Sequence, residues 1–429
     1  MRPFVHYGER KIEFEIPPGW NVFCGKEIPS LPAARNPFEK IIEALDKPIG
    51  SPRIEELAHP GMKAVILFDD LTRPTPAHVV FPEILNRLNK QGVEDGDISA
   101  VCALGTHPAP SSEELKTKIG REAFERLNGR IYNHDSLSKE NRVIGRTSRG
   151  SLVEVNPHVL GADLTIGIGT CLPHVWAGFS GGSKIIMPGI CSWRSVAEHH
   201  IKWAQNHSSR IGKLEGNFFY QEQNEFARIV GLDFKIDFIV NRKNEVTNVF
   251  CGDVVREHEK AAQGVLHEYL VKIPHLVDLS VVSSYPMEQG LQSLKGLDAA
   301  ALITKKGGKI IWIAPQEGWE NLTPLIEEVA KKSSSNDYLN QLLAGIYPEG
   351  CFAMGISALL CIWVLKRMRE RFCEIVHVCE GLSRDQVEAM GMRYAHSIDE
   401  GIEMVREGLP RADVAILASG GTALPVLSG

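Results

Sequence analysis

The sequence predicts an α/β protein built as two α/β domains. Three observations carry this: the length, an alternation of apolar runs with amphipathic stretches, and the restart of that alternation beyond the middle of the chain. At 429 residues the chain exceeds the roughly 250 to 300 residues at which a single core stops growing. Short apolar runs at Ala64 to Phe68, Ile98 to Ala103 and Leu164 to Ile168 alternate with longer amphipathic stretches such as Ala77 to Lys90. That is the pattern of a sheet with helical crossovers. It restarts after Val271 with the run Leu276 to Val282, then Ile310 to Ala314, then a helical stretch from Leu322 to Lys332.

The boundary therefore falls near residues 270 to 275, with an N-terminal domain over 1–272 and a C-terminal domain over 273–410. Ser397 is placed to cap a helix from Ile398 to Glu407, which the loop Gly408-Leu409-Pro410 follows. The last apolar run, Val414 to Ala418, lies in 411–429, which either finishes the second domain or returns to the first. Ile356 to Leu365 is half the roughly 20 residues a spanning helix needs. It reads as a buried helix closed by the charged run Lys366 to Arg371. Ser333-Ser334-Ser335 reads as a loop.

Charged residues at 23% and hydrophobic ones at 43% are ordinary for a soluble globular protein and far from the composition of disorder. A net charge of -6 supplies no basic field for a polyphosphate backbone, which argues against nucleic acid as a partner. Local arginines and lysines still suit a small anion. The opening MRPFVHYGERKIEFEIPPGW lacks the apolar run of a secretory signal, and no membrane segment is expected. The nine cysteines are scattered without a C-x-x-C pair, as expected of reduced thiols in a cytoplasmic protein.

Four segments carry candidate chemistry. In Gly178-Phe179-Ser180-Gly181-Gly182-Ser183-Lys184 small residues precede a lysine, leaving backbone N–H groups open to an anion such as phosphate. Ser183 stands where a Walker A loop needs its second glycine, Ile185 follows the lysine, and Pro188-Gly189 soon interrupts any helix, so nucleotide hydrolysis is disfavoured. A solvated surface loop is the plain alternative. His174 and His200 flank this lysine. In a helix from Ser195 to Ala204, His200 has Val196, Ala197, Trp203 and Ala204 as neighbours, whereas His199 has Ser195 and Lys202 among its own. His200 is therefore expected to face inward and His199 outward.

Asp69-Asp70-Leu71-Thr72-Arg73-Pro74-Thr75-Pro76 follows one predicted strand and Gly105-Thr106-His107-Pro108 another, and ligands of open α/β sheets collect at such strand ends. Arg73 offers a fork for a carboxylate or phosphate, and Asp70 a partner for a sugar hydroxyl or for the arginine. A turn with Thr75 as N-cap of the next helix satisfies the same residues. In the second domain Gln292 and Lys295 are three apart, hence on one face of a helix, either closing over an anionic substrate from across a cleft or forming a solvated polar face.

Taken in order, DDLTRPTP, GTHP, PHVWAGFSGGSK, His200 at its spacing, and LQSLKGLDAA resemble the nickel-pincer lactate racemase family over most of the chain. The resemblance implies two α/β domains with a cofactor and substrate cleft between them. The cofactor it implies is a nickel-pincer nucleotide, a pyridinium-3-thioamide-5-thiocarboxylic acid mononucleotide holding Ni(II). On this basis Lys184 is the covalent tether and His200 the metal ligand, a set that suits Ni(II). Asp70, Thr72, Ser180, Gly181, Gly182 and Ser183 match cofactor-holding positions. Arg73, Gln292 and Lys295 match substrate-binding ones. His107 and His174 match the acid/base pair of a reaction in which hydride passes from a 2-hydroxyacid to the cofactor and back. Cofactor-synthesis enzymes are implied as partners.

Two departures bear on the substrate. Leu291 precedes Gln292 where the lactate enzymes carry a polar aromatic residue, and Pro108 follows His107 where a basic residue is common. With Trp176 they point to lactate or a larger, more apolar 2-hydroxyacid. From the residues alone two other readings stand: a Schiff-base enzyme with pyridoxal phosphate on Lys184, and a non-catalytic protein that binds a phosphorylated ligand.

Overall fold

The computed structural model describes residues 2–24, 31–316 and 323–428. The chain divides into two compact units, Ser30–Glu268 and a second made of Met1–Pro29 with Tyr269–Gly429.

In the Ser30–Glu268 unit the six-stranded sheet runs in the order Val246–Gly252, Phe234–Val240, Leu164–Thr170, Ala64–Phe68, Ile98–Cys102, Ile131–Asn133. All neighbours are parallel except the antiparallel edge pair. Every residue of Ala64–Phe68, Leu164–Thr170 and Phe234–Val240 is buried, as the continuous apolar runs of a parallel sheet covered on both faces require. The helix Ala77–Lys90 buries Ala77, Val80, Phe81, Ile84, Leu85 and Leu88, a three- and four-residue spacing that sets one stripe on the sheet. Its start corrects the expected cap. Pro76 is the N-cap residue, without a side-chain bond, while the Thr75 hydroxyl turns to Asp69 and to Thr170, 2.5 Å from each.

The other unit has a six-stranded parallel sheet in the order Arg393–Ala395, Glu374–Val378, Thr304–Ile313, Val277–Ser283, Ala412–Leu417, Trp20–Cys24. The assignment of residues 1–272 to one domain is corrected here at its start. Trp20–Cys24 pairs with Ala412–Leu417, and Trp20 Nε1 donates to the Leu409 carbonyl at 2.8 Å. Val5, Tyr7 and Phe14 join the core of Leu279, Val281 and Ile311. Ala412–Leu417 lies between Val277–Ser283 and Trp20–Cys24, so 411–429 completes this unit and does not return to the first. Periodicity identifies strands but carries no signal for their partners.

Ser397 caps Ile398–Arg406 by accepting from the Glu400 amide. The expected helix from Leu322 is Thr323–Ala330, Leu322 itself lying outside the described residues. Ser334 accepts from the Asp337 amide and caps Ser335–Leu343, so the serine run ends in a helix start. The charged run Lys366 to Arg371 does not close the apolar helix but continues it. Cys351–Arg371 is one span with a kink at Gly355 (φ 75°), and the buried Lys366 donates to the Lys331 carbonyl at 2.8 Å. This helix is long and apolar enough to cross a membrane by length and composition, and 67% of its most apolar window is buried inside the protein.

Candidate active site

Three neighbouring parallel strands, Leu164–Thr170, Ala64–Phe68 and Ile98–Cys102, end on the same edge of the sheet. Their following segments carry His174 and Lys184, Asp70 and Arg73, and His107 respectively.

The best-defined pair is Asp70 with His107, whose Nδ1 lies 2.6 Å from Asp70 Oδ2. The second oxygen, Oδ1, accepts from the Thr72 amide at 2.8 Å and from the Thr72 hydroxyl. Burial pushes the Asp70 pKa up, but the His107 hydrogen bond and charge, the Arg73 charge and the Thr72 bond outweigh it and hold the carboxyl well below the usual carboxylate range. Asp70 is thus a buried carboxylate that accepts a hydrogen bond from His107 Nδ1–H and leaves Nε2 as the unprotonated ring nitrogen. Arg73 donates to the Thr72 hydroxyl at 2.9 Å. The loop is also held by Lys118. Its buried ammonium meets the Asp70 carbonyl at 2.9 Å, the Arg73 carbonyl at 3.0 Å and Asp69 Oδ1 at 2.9 Å.

His174 sits in the short ribbon formed by Pro173–His174 and Gly178–Phe179. Its Nδ1 accepts from the amides of Trp176 at 3.3 Å and Ala177 at 3.2 Å, which assigns the proton of the neutral ring to Nε2. His107 and His174 therefore hold opposite tautomers.

The glycine segment does not form the open anion cradle that its composition suggests. The Ser180 amide donates to the Leu172 carbonyl at 2.7 Å and the Lys184 amide to the Gly181 carbonyl at 3.1 Å, while the Gly182 amide donates to Asp237 at 2.7 Å. The Ser180 hydroxyl donates to the Thr170 carbonyl at 2.8 Å and the Ser183 hydroxyl to Asn224 at 2.6 Å. These groups shape the loop, and Gly182–Ile185 closes as a single turn of 3-10 helix. Lys184 is left half-buried at its tip.

Around Lys184 the residues gather on one ring, Phe219, from the helix Phe218–Val230. The Lys184 ammonium is 5.9 Å from its centroid, and the rings of His200, His199, Trp176 and His174 are 4.7, 4.5, 6.3 and 6.4 Å from it. His199 is buried, not outward as expected. Its Nε2–H donates to the Phe219 carbonyl at 3.1 Å, and its Nδ1 lies 3.1 Å from His200 Nδ1. A second helix covers the face that sequence spacing reads as solvent. Burial, with the charges of Lys184 and Lys202, pushes the His199 pKa down to about 3. Burial, then the His199 and Lys184 charges, hold His200 well below the usual histidine range. Both rings are neutral at pH 7, the form in which imidazole binds a metal.

Gln292 and Lys295 lie in the other unit, at the end of a 3-10 turn Gly290–Ser293 and the start of the helix Leu294–Ile303. Both are half-buried. Four further polar residues went unnoticed in the sequence: Lys235, Asp237, Glu257 and His258, all buried. A signal existed, since the strand Phe-Lys-Ile-Asp-Phe-Ile-Val carries two opposite charges two residues apart in an otherwise apolar run.

Comparison with known proteins identifies the family. Residues 7–212 match the model of the lactate racemase N-terminal domain and residues 272–424 that of the C-terminal domain. The chain is 30% identical over 312 residues to the lactate racemase of Thermoanaerobacterium thermosaccharolyticum, covering 72% of each protein. It is 28% identical over 394 residues to that of Lactiplantibacillus plantarum, covering 89% of each. The solved lactate racemase apoprotein from T. thermosaccharolyticum superposes with a TM-score of 0.84 at 25% identity over 99% of this chain and 100% of that one. A Thermotoga maritima protein shares the fold at a TM-score of 0.66 and 20% identity, covering 91% of this chain and 98% of its own. The chain belongs to the lactate racemase family and is an isomerase of the racemase type.

Proposed function

We propose that the protein racemises or epimerises a 2-hydroxyacid, lactate or a larger homologue, with a nickel-pincer nucleotide tethered to Lys184 and its metal bound by His200. The observation that carries this reading is the gathering of Lys184, His174 and His200 around the Phe219 ring. The residues fit the group: an amine able to form the covalent link, a neutral imidazole for a soft, planar metal site, and an aromatic surface beside both. When bound, the nickel-pincer nucleotide supplies the hydride acceptor and donor.

The chain supplies the rest. His107 Nε2, left unprotonated because the carboxylate holds the ring proton on Nδ1, takes the hydroxyl proton of one enantiomer. His174 is the other member of the acid/base pair: as an imidazolium it gives its Nε2 proton back to the substrate oxygen, and as a neutral ring it takes that proton from the other enantiomer, the retained proton standing on Nδ1 in place of the two amide contacts of 3.2–3.3 Å. Arg73 anchors the substrate carboxylate; Gln292 and Lys295 are assigned to the substrate by their match to the family's positions. Trp176 favours an apolar substituent, and Leu291, in place of the polar aromatic residue at that position, points the same way. The reaction takes place in the cytoplasm, with cofactor-synthesis enzymes as partners, and the buried free thiols of Cys102, Cys171 and Cys191 suit a reducing compartment.

The test is intact mass and nickel content of protein co-expressed with cofactor-making enzymes, followed by chiral analysis of lactate, phenyllactate and longer aliphatic hydroxyacids. A mass increment on the Lys184 peptide with bound nickel and racemisation is expected. An unmodified, nickel-free, inactive protein would overturn the reading, and a clear preference for lactate would remove the apolar-pocket part of it.

A further inference from the structure

Beneath the two loops that carry the proposed machinery runs a buried chain of alternating charge that the proposed reaction does not use. Lys118 meets Asp69 at 2.9 Å, and the Thr75 hydroxyl joins Asp69 to Thr170. Lys235 is paired with Asp237. The Asp237 carboxylate also accepts from His258 Nδ1 at 2.9 Å and from the Gly182 amide at 2.7 Å. Asp69 is half-buried and the others are buried, Lys235, Asp237 and Glu257 fully so.

Glycines mark where the chain of charges needs room. A Cβ on Gly169 would stand 3.2 Å from the Lys235 ammonium, 3.5 Å from Asp237 Oδ1 and 3.6 Å from Asp69 Oδ2, so one small residue lets charges from the strand Phe234–Val240 and from the end of Ala64–Phe68 converge. A Cβ on Gly181 would lie 2.4 Å from Asp237 Oδ2, and one on Gly182 2.6 Å from the His258 ring. Both glycines have positive φ, 84° and 49°, a conformation that costs other residues energy unless something holds it. Asp237 and His258 are pressed directly under that turn, two residues before Lys184.

We propose that Asp237, oriented by Lys235 and His258, is the positioning residue that fixes the Gly181-Gly182 turn and so sets where Lys184 is presented. The tethering role of Lys184 rests on the function proposed above; the holding of the turn does not. A buried carboxylate with three donors has one low-energy orientation, because each donor left unmet carries its full desolvation penalty. Asp237, Glu257 and His258 also bring three metal-ligating atoms within 4.8 Å of one another. The Lys235 ammonium already neutralises Asp237 there, and burial together with the Asp237 charge raises the Glu257 pKa well above the usual carboxylate range, which disfavours a second anion at that place.

The experiment uses purified full-length protein without cofactor and compares His258→Leu, which removes the donor to Asp237, with His258→Asn, whose amide N–H replaces it. The double variant Lys235→Met/Asp237→Leu is run beside them, because Asp237→Ala alone strands a buried ammonium. Amide exchange at Gly182, and the rate at which pyridoxal phosphate with borohydride labels Lys184 relative to the exposed Lys139, are read by peptide mass. Thermal melting confirms folding at the assay temperature. We expect at least tenfold faster Gly182 exchange and at least threefold faster relative Lys184 labelling in His258→Leu and in the double variant, with His258→Asn within twofold of wild type. Unchanged exchange and labelling in folded His258→Leu would overturn the proposal. So would a stoichiometric divalent metal in the wild type whose chelation alone frees Gly182. A wild type that never racemises any hydroxyacid would sink the proposed function and leave the exchange result standing.

Discussion

Replacing Asp70 by asparagine tests the acid/base assignment most sharply, because the surrounding bonds dictate which way the new amide must face. Two donors of Thr72, the amide at 2.8 Å and the hydroxyl, point at Oδ1. An asparagine keeps its carbonyl oxygen there and turns its NH2 toward His107. His107 Nδ1 must then accept, which moves the ring proton to Nε2, the atom that has to take the substrate proton. The lost charge-assisted hydrogen bond is worth about 1.5–3 kcal/mol, or roughly 10- to 150-fold in rate. The wrong tautomer adds to this, and inverted tautomers of a catalytic histidine lower kcat by up to about 10⁴-fold. The expected result in cofactor-loaded protein is a kcat reduced by about 10²- to 10⁴-fold with KM changed less than about threefold. Stopped-time chiral chromatography of both enantiomers measures it. A kcat within about threefold of wild type, with equal nickel loading, would show that His107 does not act through Nε2 or that Asp70 does not set its tautomer.

The same pair makes a pH prediction. The folded Asp70 pKa is lowered, so its stabilisation is present above the ordinary carboxylate pKa near 4 and fades as pH falls below it. The stability gap between wild type and Asp70→Asn, read by urea unfolding, should be largest at pH 6 to 7 and shrink by pH 3. His200→Ala should abolish nickel retention, measured by metal analysis after gel filtration, while leaving the covalent mass increment on Lys184. Phe219→Ala removes a fully buried ring and should cost about 3–5 kcal/mol, seen as a lower urea midpoint. The variant should also lose protection at the His199 and His200 side chains in histidine proton-exchange spectra. His199→Ala should lower nickel affinity by about 10- to 100-fold, the usual cost of removing a group that orients a metal-binding histidine. Competition with a chromophoric chelator reads this directly.

The central strands and the helix Ala77–Lys90 were legible because burial on both faces, or on one stripe, writes itself into the order of apolar residues. Ser397 was legible as a cap because a hydroxyl ahead of an apolar period meets a local need. What could not be read was partnership. Trp20–Cys24 looks like any short strand, and nothing local ties it to Ala412–Leu417. His199 looked exposed because helical spacing reports on its own helix alone, whereas Phe219 and Phe226 cover it from another. The glycine loop read as an anion cradle because glycine and serine composition is the same whether amides point out to a ligand or in to Asp237. The opposite charges of Lys235 and Asp237 were the one readable sign of the inward choice.

The strand Trp20–Cys24 has a consequence for how the protein is made. The Ser30–Glu268 unit is a continuous stretch, and its two ends are tied where the Leu31 amide donates to Glu268 at 2.8 Å. It can fold as soon as it leaves the ribosome. The surrounding unit cannot, because Trp20–Cys24 must wait for Ala412–Leu417, nearly four hundred residues later in synthesis, before its edge is paired. For most of translation this early strand is an open template of the kind that recruits the wrong neighbour. Slow or truncated synthesis should therefore harm the outer unit first, and a nascent chain halted after residue 268 should already carry a folded Lys184 loop.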